Sequence, residues 1–389
     1  KLDPASLGAS VIVALFLLHP MYVECVAYIS GQKDILSMFF ILISLSFLYK
    51  AGKQSFQNGW IFVLGVCFHY LAVLSKLGAL STIIFVPLLW YISTTIKFRK
   101  LLKMTLVWLL ANLPVAWWFL YASQQGAAYQ PQLAGSPFLE RIPRALNIIG
   151  IHLNRTVWPY PLSFSYPFNA KWALNLDFLI GFIFVALTIL CFIKWRRSLA
   201  TLGLLLFLIY LLPVVQIYPE MANALLFDRY LAIPLIGLII VLIDVMKKLK
   251  AYWKTSPFIY FGMFVVVAFA FGRATASYIP KFKSNKHMSE DMFKLYPTWS
   301  TTPFNFAFSL IEDNQLERAE LLLKSNMSLE HPNWVKPYFY GKIKQKKGTF
   351  LNNFADAEKT ILKKINTNSI VLIMGAGNIS EFVKSFVED

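Results

Sequence analysis

The feature that most constrains this chain is a recurrence: apolar runs close to bilayer length, separated by short breaks in which the charges are clumped. A helix needs about 18 or more apolar residues to cross the roughly 30 Å hydrocarbon core. Such runs return here too often to be the core helices of a soluble globule. Read against the charged breaks they give about nine spans, near 5–18, 34–49, 60–75, 78–96, 103–121, 173–193, 198–217, 226–245 and 257–272. The expected fold class is all-α, a polytopic α-helical membrane protein. Its composition, 57% hydrophobic and 15% charged, departs in the same direction from the roughly 25% charged residues of soluble domains.

The net charge of +17 is read as cytoplasmic Lys and Arg, so no nucleic-acid partner is expected. Lys50 and Lys53, then Lys97, Arg99, Lys100 and Lys103, then Lys194, Arg196 and Arg197, then Lys247, Lys248, Lys250 and Lys254 fill every second break. The positive-inside rule makes those breaks cytoplasmic. The segments 19–33, 76–77, 122–172 and 218–225, with everything after 272, then face the opposite side. Residues 144–158 have helical spacing inside an outer loop, so they are expected to lie in the interface or re-enter. Cys25, Cys67 and Cys191 sit in or beside apolar runs and suggest neither disulfides nor a metal. The chain opens Lys1-Leu2-Asp3-Pro4 with no signal-peptide pattern, and it is expected to be an N-terminally truncated fragment.

Three regions follow: a transmembrane domain over 1–275, a soluble helical region over 276–366, and an unassigned tail over 367–389. Within the second, 304–312 and 316–326 form two amphipathic patterns, and a similar pair follows at 335–346 and 352–364. That spacing is about the 34 residues of a tetratricopeptide repeat. An unrelated helical tail is the alternative. Residues 369–377 read as a strand and turn.

Ionisable groups at a membrane are functional candidates because burying them is costly. The first outer loop, His19-Pro20-Met21-Tyr22-Val23-Glu24-Cys25 through Gly31-Gln32-Lys33-Asp34, gathers an imidazole, two carboxylates and an ammonium. A blander reading of the same loop is interfacial anchoring by Tyr22, Tyr28 and Lys33.

This loop resembles the "HPxxxExVayisGRxdxL" segment of the membrane glycosyltransferases that carry C-terminal tetratricopeptide repeats. That family is related to the protein O-mannosyltransferases, in the C-superfamily of lipid-linked-sugar transferases. Further segments are similar in the same order. Leu74-Ser75-Lys76 resembles "LSKE", with Leu77 for Glu. Trp158-Pro159-Tyr160-Pro161-Leu162-Ser163 with Tyr166 resembles "lPhpLsxdY". Phe227-Asp228-Arg229-Tyr230-Leu231 resembles "aERYLYLP", with Asp for Glu and Pro234 in place.

The resemblance implies transfer of a sugar from a polyprenyl- or dolichyl-phosphate carrier to a protein hydroxyl or glycan on the periplasmic or luminal face. Such chemistry needs cations for the leaving phosphate and a carboxylate for the acceptor hydroxyl. Glu24 and His19 are the catalytic candidates. Lys33, Asp34, Lys76, Arg144, Tyr166, Asp228, Arg229 and Tyr230 are the candidates for binding donor phosphate and substrate. The one cofactor suggested is a divalent metal ion, for which His19 and Glu24 together are the candidate ligands, and no other is indicated. The family's essential Asp falls upstream of residue 1, so this stretch alone is expected to be inactive.

Other expected partners are the lipid bilayer and an acceptor docked by the repeats. A bacterial inner membrane is favoured over the endoplasmic reticulum because the repeat tail is short. Two other classes stay open: a membrane-anchored repeat scaffold with an inactive core, and a lipid-carrier flippase or transporter. Arg144 as an amphipathic-helix charge, Lys76 as a snorkelling anchor and Asp228–Arg229 as a local ion pair also stay open.

Overall fold

The computed structural model describes residues 13–127, 138–167, 175–215, 217, 226–250, 257–299 and 301–326, together with 339, 342 and 343. Among these residues the regular structure is helical, and the only strand-like feature is an isolated antiparallel bridge between Tyr166 and Leu226. The chain divides into two compact units, Lys1–Lys283 and Ser284–Asp389. The expected repeat pair at 335–346 and 352–364, the strand at 369–377 and the outer break at 218–225 lie essentially outside the described residues, as does the start of the first span.

The first unit holds the short helix α1 (Val23–Ala27) and the longer helices α2 (Gln32–Lys53), α3 (Gly59–Ser75), α4 (Ser81–Ser93), α5 (Phe98–Ala111) and α6 (Leu113–Ala127). They are followed by α7 (Phe138–Val157), α8 (Leu176–Lys194), α9 (Leu199–Leu211), α10 (Pro234–Lys250) and α11 (Pro257–Tyr278). Among the described residues two helical stretches, Ile29–Lys53 and Leu176–Lys194, are long and apolar enough to cross a membrane; Gly59–Ser75, Leu77–Ser93 and Leu199–Leu211 are shorter apolar helices.

Two expected spans come out differently. The run 103–121 is broken at Asn112, because Pro114 has no N–H to give the carbonyl four residues back and its ring crowds that carbonyl. Asn112 ends α5 by donating its side-chain amide to Trp108 O at 2.7 Å. The run 226–245 opens with a 3-10 turn, Asp228–Leu231, and the α-helix begins only at Pro234. A proline suits the first helical position, where its missing donor costs nothing. The segment expected to be interfacial is a 20-residue amphipathic helix, α7.

Helices pair through small residues and internal hydrogen bonds. Ser37 and Ser44 of α2 donate to Ala72 O at 3.0 Å and Gly65 O at 2.7 Å on α3. Trp90 donates from α4 to Leu48 O at 2.7 Å. Gly203 and Gly237 bring α9 and α10 close enough that a side chain at either would meet the other's carbonyl. Ile41, Val73, Phe85, Leu206 and Tyr210 form the core these helices share. The second unit packs α12 (Asn285–Leu295), α13 (Thr301–Glu312) and α14 (Leu316–Ser325) around Phe304, Ala307, Leu310, Ala319 and Leu323.

Candidate functional site

The loops at one end of the first unit converge because each is anchored on another. Pro20 opens a 3-10 turn, which runs into α1. At Gly31 the returning backbone passes against the Glu24 carbonyl, where any side chain would collide. Tyr22 then donates its hydroxyl to Ala232 O at 2.7 Å, which docks this loop on the 228–231 turn. Tyr166 N donates to Leu226 O at 3.1 Å and brings in the segment that follows α7.

At the centre Glu24 is completely buried and faces Arg229. Its carboxylate accepts the Arg229 backbone N–H at 3.0 Å and also pairs with the guanidinium. Burial pushes its pKa up to about 7 against the opposing pull of Arg229, with the neighbouring Asp228 adding to the rise. The Arg229 plane stacks on Phe227, 3.7 Å from the ring centre, with Phe164 and Tyr230 beyond it.

A second pair lies alongside. Asp34, 4% exposed, is bridged to Lys76, whose side chain is a quarter exposed. Lys76 Nζ sits 5.1 Å from the centre of the Tyr230 ring. Its pKa is pushed down to about 8, chiefly by burial and then by Arg229, with Cys25 and Glu24 pulling the other way. Asp34 Oδ2 is buried without a hydrogen-bond partner. Asp34, Ser37, Lys76, Arg229 and Tyr230 line one cleft with Tyr210 and Pro213.

Asp228 belongs to neither pair. It is fully buried and accepts from the Tyr166 hydroxyl at 2.7 Å, and that hydroxyl accepts from Ser163 N at 2.9 Å. Burial raises its pKa to about 6, offset in part by Arg155 and by the Tyr166 hydrogen bond. Oδ1 of Asp228 has no partner. The open alternative of a local Asp228–Arg229 ion pair is therefore not the one adopted, since the two side chains face different partners.

Of the residues named from the sequence, the structure brings together Glu24, Asp34, Lys76, Tyr166, Asp228, Arg229 and Tyr230. Lys33 is exposed. Arg144 is buried on α7, roughly three turns N-terminal to Arg155. His19 is turned elsewhere: Nε2 is 3.0 Å from Thr156 O, and Nδ1 accepts from Met21 N at 3.3 Å. Both ring nitrogens thus face backbone groups, and burial lowers the imidazole pKa.

His19 ties the first loop to the end of α7, and Glu24, with no exposed surface, is held by Arg229. Among the described residues no group of three or more His, Cys, Asp and Glu could hold a metal ion.

Arg155 is the participant the sequence did not single out. Its guanidinium lies 3.2 Å from the centre of the Tyr166 ring and donates to Pro161 O at 3.4 Å. The available signal was its place beside a Pro- and aromatic-rich stretch, Trp158-Pro159-Tyr160-Pro161. Comparison of the chain with protein-family models, with curated proteins and with solved structures finds no match.

Proposed function

We propose that the chain is the membrane-embedded part of a glycosyltransferase that moves a sugar from a polyprenyl- or dolichyl-phosphate to an acceptor on the periplasmic or luminal face. One observation carries the reading. Chain segments far apart in sequence meet at one end of the helices and place Lys76 and Arg229 around one cleft, each oriented by a buried carboxylate. A guanidinium fixed this way offers its remaining N–H groups to a phosphate as a planar fork. Preorganised cations of this kind stabilise the charge that develops on a leaving phosphate. The ordered motif resemblance supports the same chemistry.

Membrane residence is part of the proposal. On α8, Leu179, Phe182, Ile183, Leu187, Leu190 and Ile193 are 47–69% exposed. So continuous an apolar surface exceeds what a water-soluble monomer presents. The shorter apolar helices and the alternating basic breaks support a crossing of about nine spans. The hairpin of α13 and α14 is proposed as a tetratricopeptide-like repeat that presents acceptors.

The full-length protein, reconstituted in proteoliposomes with radiolabelled dolichyl- or undecaprenyl-phosphate sugars, tests the reading. Transfer to peptide or glycan acceptors is expected, and it should fall by about a hundredfold in Arg229→Ala, the scale of losing one preorganised transition-state donor. Correct insertion without transfer from any such donor would overturn it. A second reading, a membrane scaffold with an inactive core, draws on the same pairs: Arg229 and Lys76 are each already neutralised by a carboxylate of the chain itself.

A further inference from the structure

A second cleft remains that the phosphate chemistry does not use. It measures about 240 Å³ and is lined by Asn154, Arg155, Trp158, Tyr160, Tyr166 and Asp177, among others. A helix crossing sets its place. Gly150 of α7 packs against the Asp177 carbonyl, and Gly181 of α8 packs against the Leu146 carbonyl, with no room for a side chain at either. That close approach brings Asn154 Nδ2 within 3.4 Å of Asp177 Oδ1. Arg155 is held flat on Tyr166, and its Nε is buried without a hydrogen-bond partner. On the rim, Trp158 and Tyr160 are 69% and 74% exposed.

We infer that this cleft binds a carbohydrate ring. Trp and Tyr combine a large apolar face with a polar tip, which suits the C–H face of a pyranose and the hydroxyls at its edge. Asn154, Asp177 and Arg155 supply an amide, a carboxylate and a fork of donors within one cleft, so a hydroxyl finds both an acceptor and a donor. The cleft is smaller than the roughly 300–1,000 Å³ of drug-sized pockets, so it suits one sugar ring rather than a longer oligosaccharide. Arg155 and Asp177 balance in charge, so a neutral ligand is favoured over an anion, unlike at Lys76 and Arg229. Interfacial anchoring would account for Trp158 and Tyr160, but not for the polar groups of Asn154, Arg155 and Asp177 gathered beside them in one cleft.

The test uses the full-length protein in nanodiscs and diazirine-bearing methyl mannoside and methyl glucoside as probes, with crosslinks mapped by mass spectrometry. Labelling is expected within residues 151–167, competed by the unlabelled glycosides. Trp158→Ala should weaken it ~5-fold, the scale of one lost aromatic contact, and Asp177→Asn should weaken it as well. Labelling that misses 151–167, or that a Tyr- and Pro-rich peptide competes while glycosides do not, would overturn the inference. So would labelling unchanged in both variants at unaltered thermal midpoints. Should either variant fail to fold, wild-type labelling and its competition decide. The readout is binding: labelling without sugar transfer would sink the transferase reading and leave the cleft standing, and transfer without labelling would do the reverse.

Discussion

At one end of the helices Lys50, Lys53, Lys97, Arg99, Lys100, Lys103, Lys194, Arg196, Arg197 and Lys247 are all exposed. At the other, Glu24, Asp34 and Asp228 are buried, and the cations beside them are held by those carboxylates or stacked on aromatic rings. The two ends derive from similar residue types with opposite costs. A solvated lysine loses almost nothing on folding, whereas an ion taken out of water must be repaid by its partner and its hydrogen bonds. A basic end of the first kind sets sidedness in a bilayer; an end of the second kind keeps charges in fixed positions, which is what recognition of a substrate requires.

The contrast breaks most visibly at the central pair. Arg229→Ala leaves the Glu24 carboxylate buried and unpaired, and the expected loss is ~3–5 kcal/mol of stability, read as a lower thermal midpoint in detergent. Glu24→Gln in the same background should recover much of it. Tyr166→Phe removes the hydroxyl that Asp228 accepts from, leaving both Asp228 oxygens unsatisfied. About 1–3 kcal/mol is the usual cost of such an orphaned group, measurable by the same melt.

Acidity sharpens the comparison from another side. The folded pKa values of Glu24 and Asp228, about 7 and 6, stand above their ordinary values of 4.5 and 3.8. Between those limits these two groups bind more protons folded than unfolded, so their own contribution to stability falls as pH rises through 7, while the buried imidazoles of His19 and His152, with lowered pKa values, act the other way. Melts at pH 5.0 and 7.5 should therefore show the Glu24 contribution as a difference: wild type should lose more stability relative to Glu24→Gln at pH 7.5 than at pH 5.0. Smallest of all, Lys100→Gln at the solvated end should shift stability by no more than about 0.5 kcal/mol, and a larger change would mean that this end is also built.

Much of the helical layout was legible because apolar runs and charged breaks are local. The break at Asn112 was legible in principle from Pro114, but a hydropathy reading averages over a single proline. The converging charges were legible only as membership: Glu24, Asp34, Lys76, Asp228 and Arg229 could be named from motif resemblance, but their pairing could not. Adjacent Asp228 and Arg229 suggested an ion pair, yet the 3-10 turn points them apart, so Arg229 reaches a carboxylate some two hundred positions upstream. The contacts of His19 were hidden for a similar reason. An imidazole beside a proline can serve as a cap, and here its ring satisfies the Met21 N–H and faces the Thr156 carbonyl.

The central claim is that the buried end holds the phosphate of a lipid-linked sugar. Saturable binding of a fluorescent undecaprenyl- or dolichyl-phosphate sugar to the full-length protein in nanodiscs measures it directly. Wild type and Lys100→Gln should bind alike, and Arg229→Gln, which keeps an uncharged hydrogen-bonding group beside Glu24, should bind at least about tenfold more weakly, the scale of one charge-assisted hydrogen bond. Equal binding by Arg229→Gln and wild type, with both folded, would contradict it.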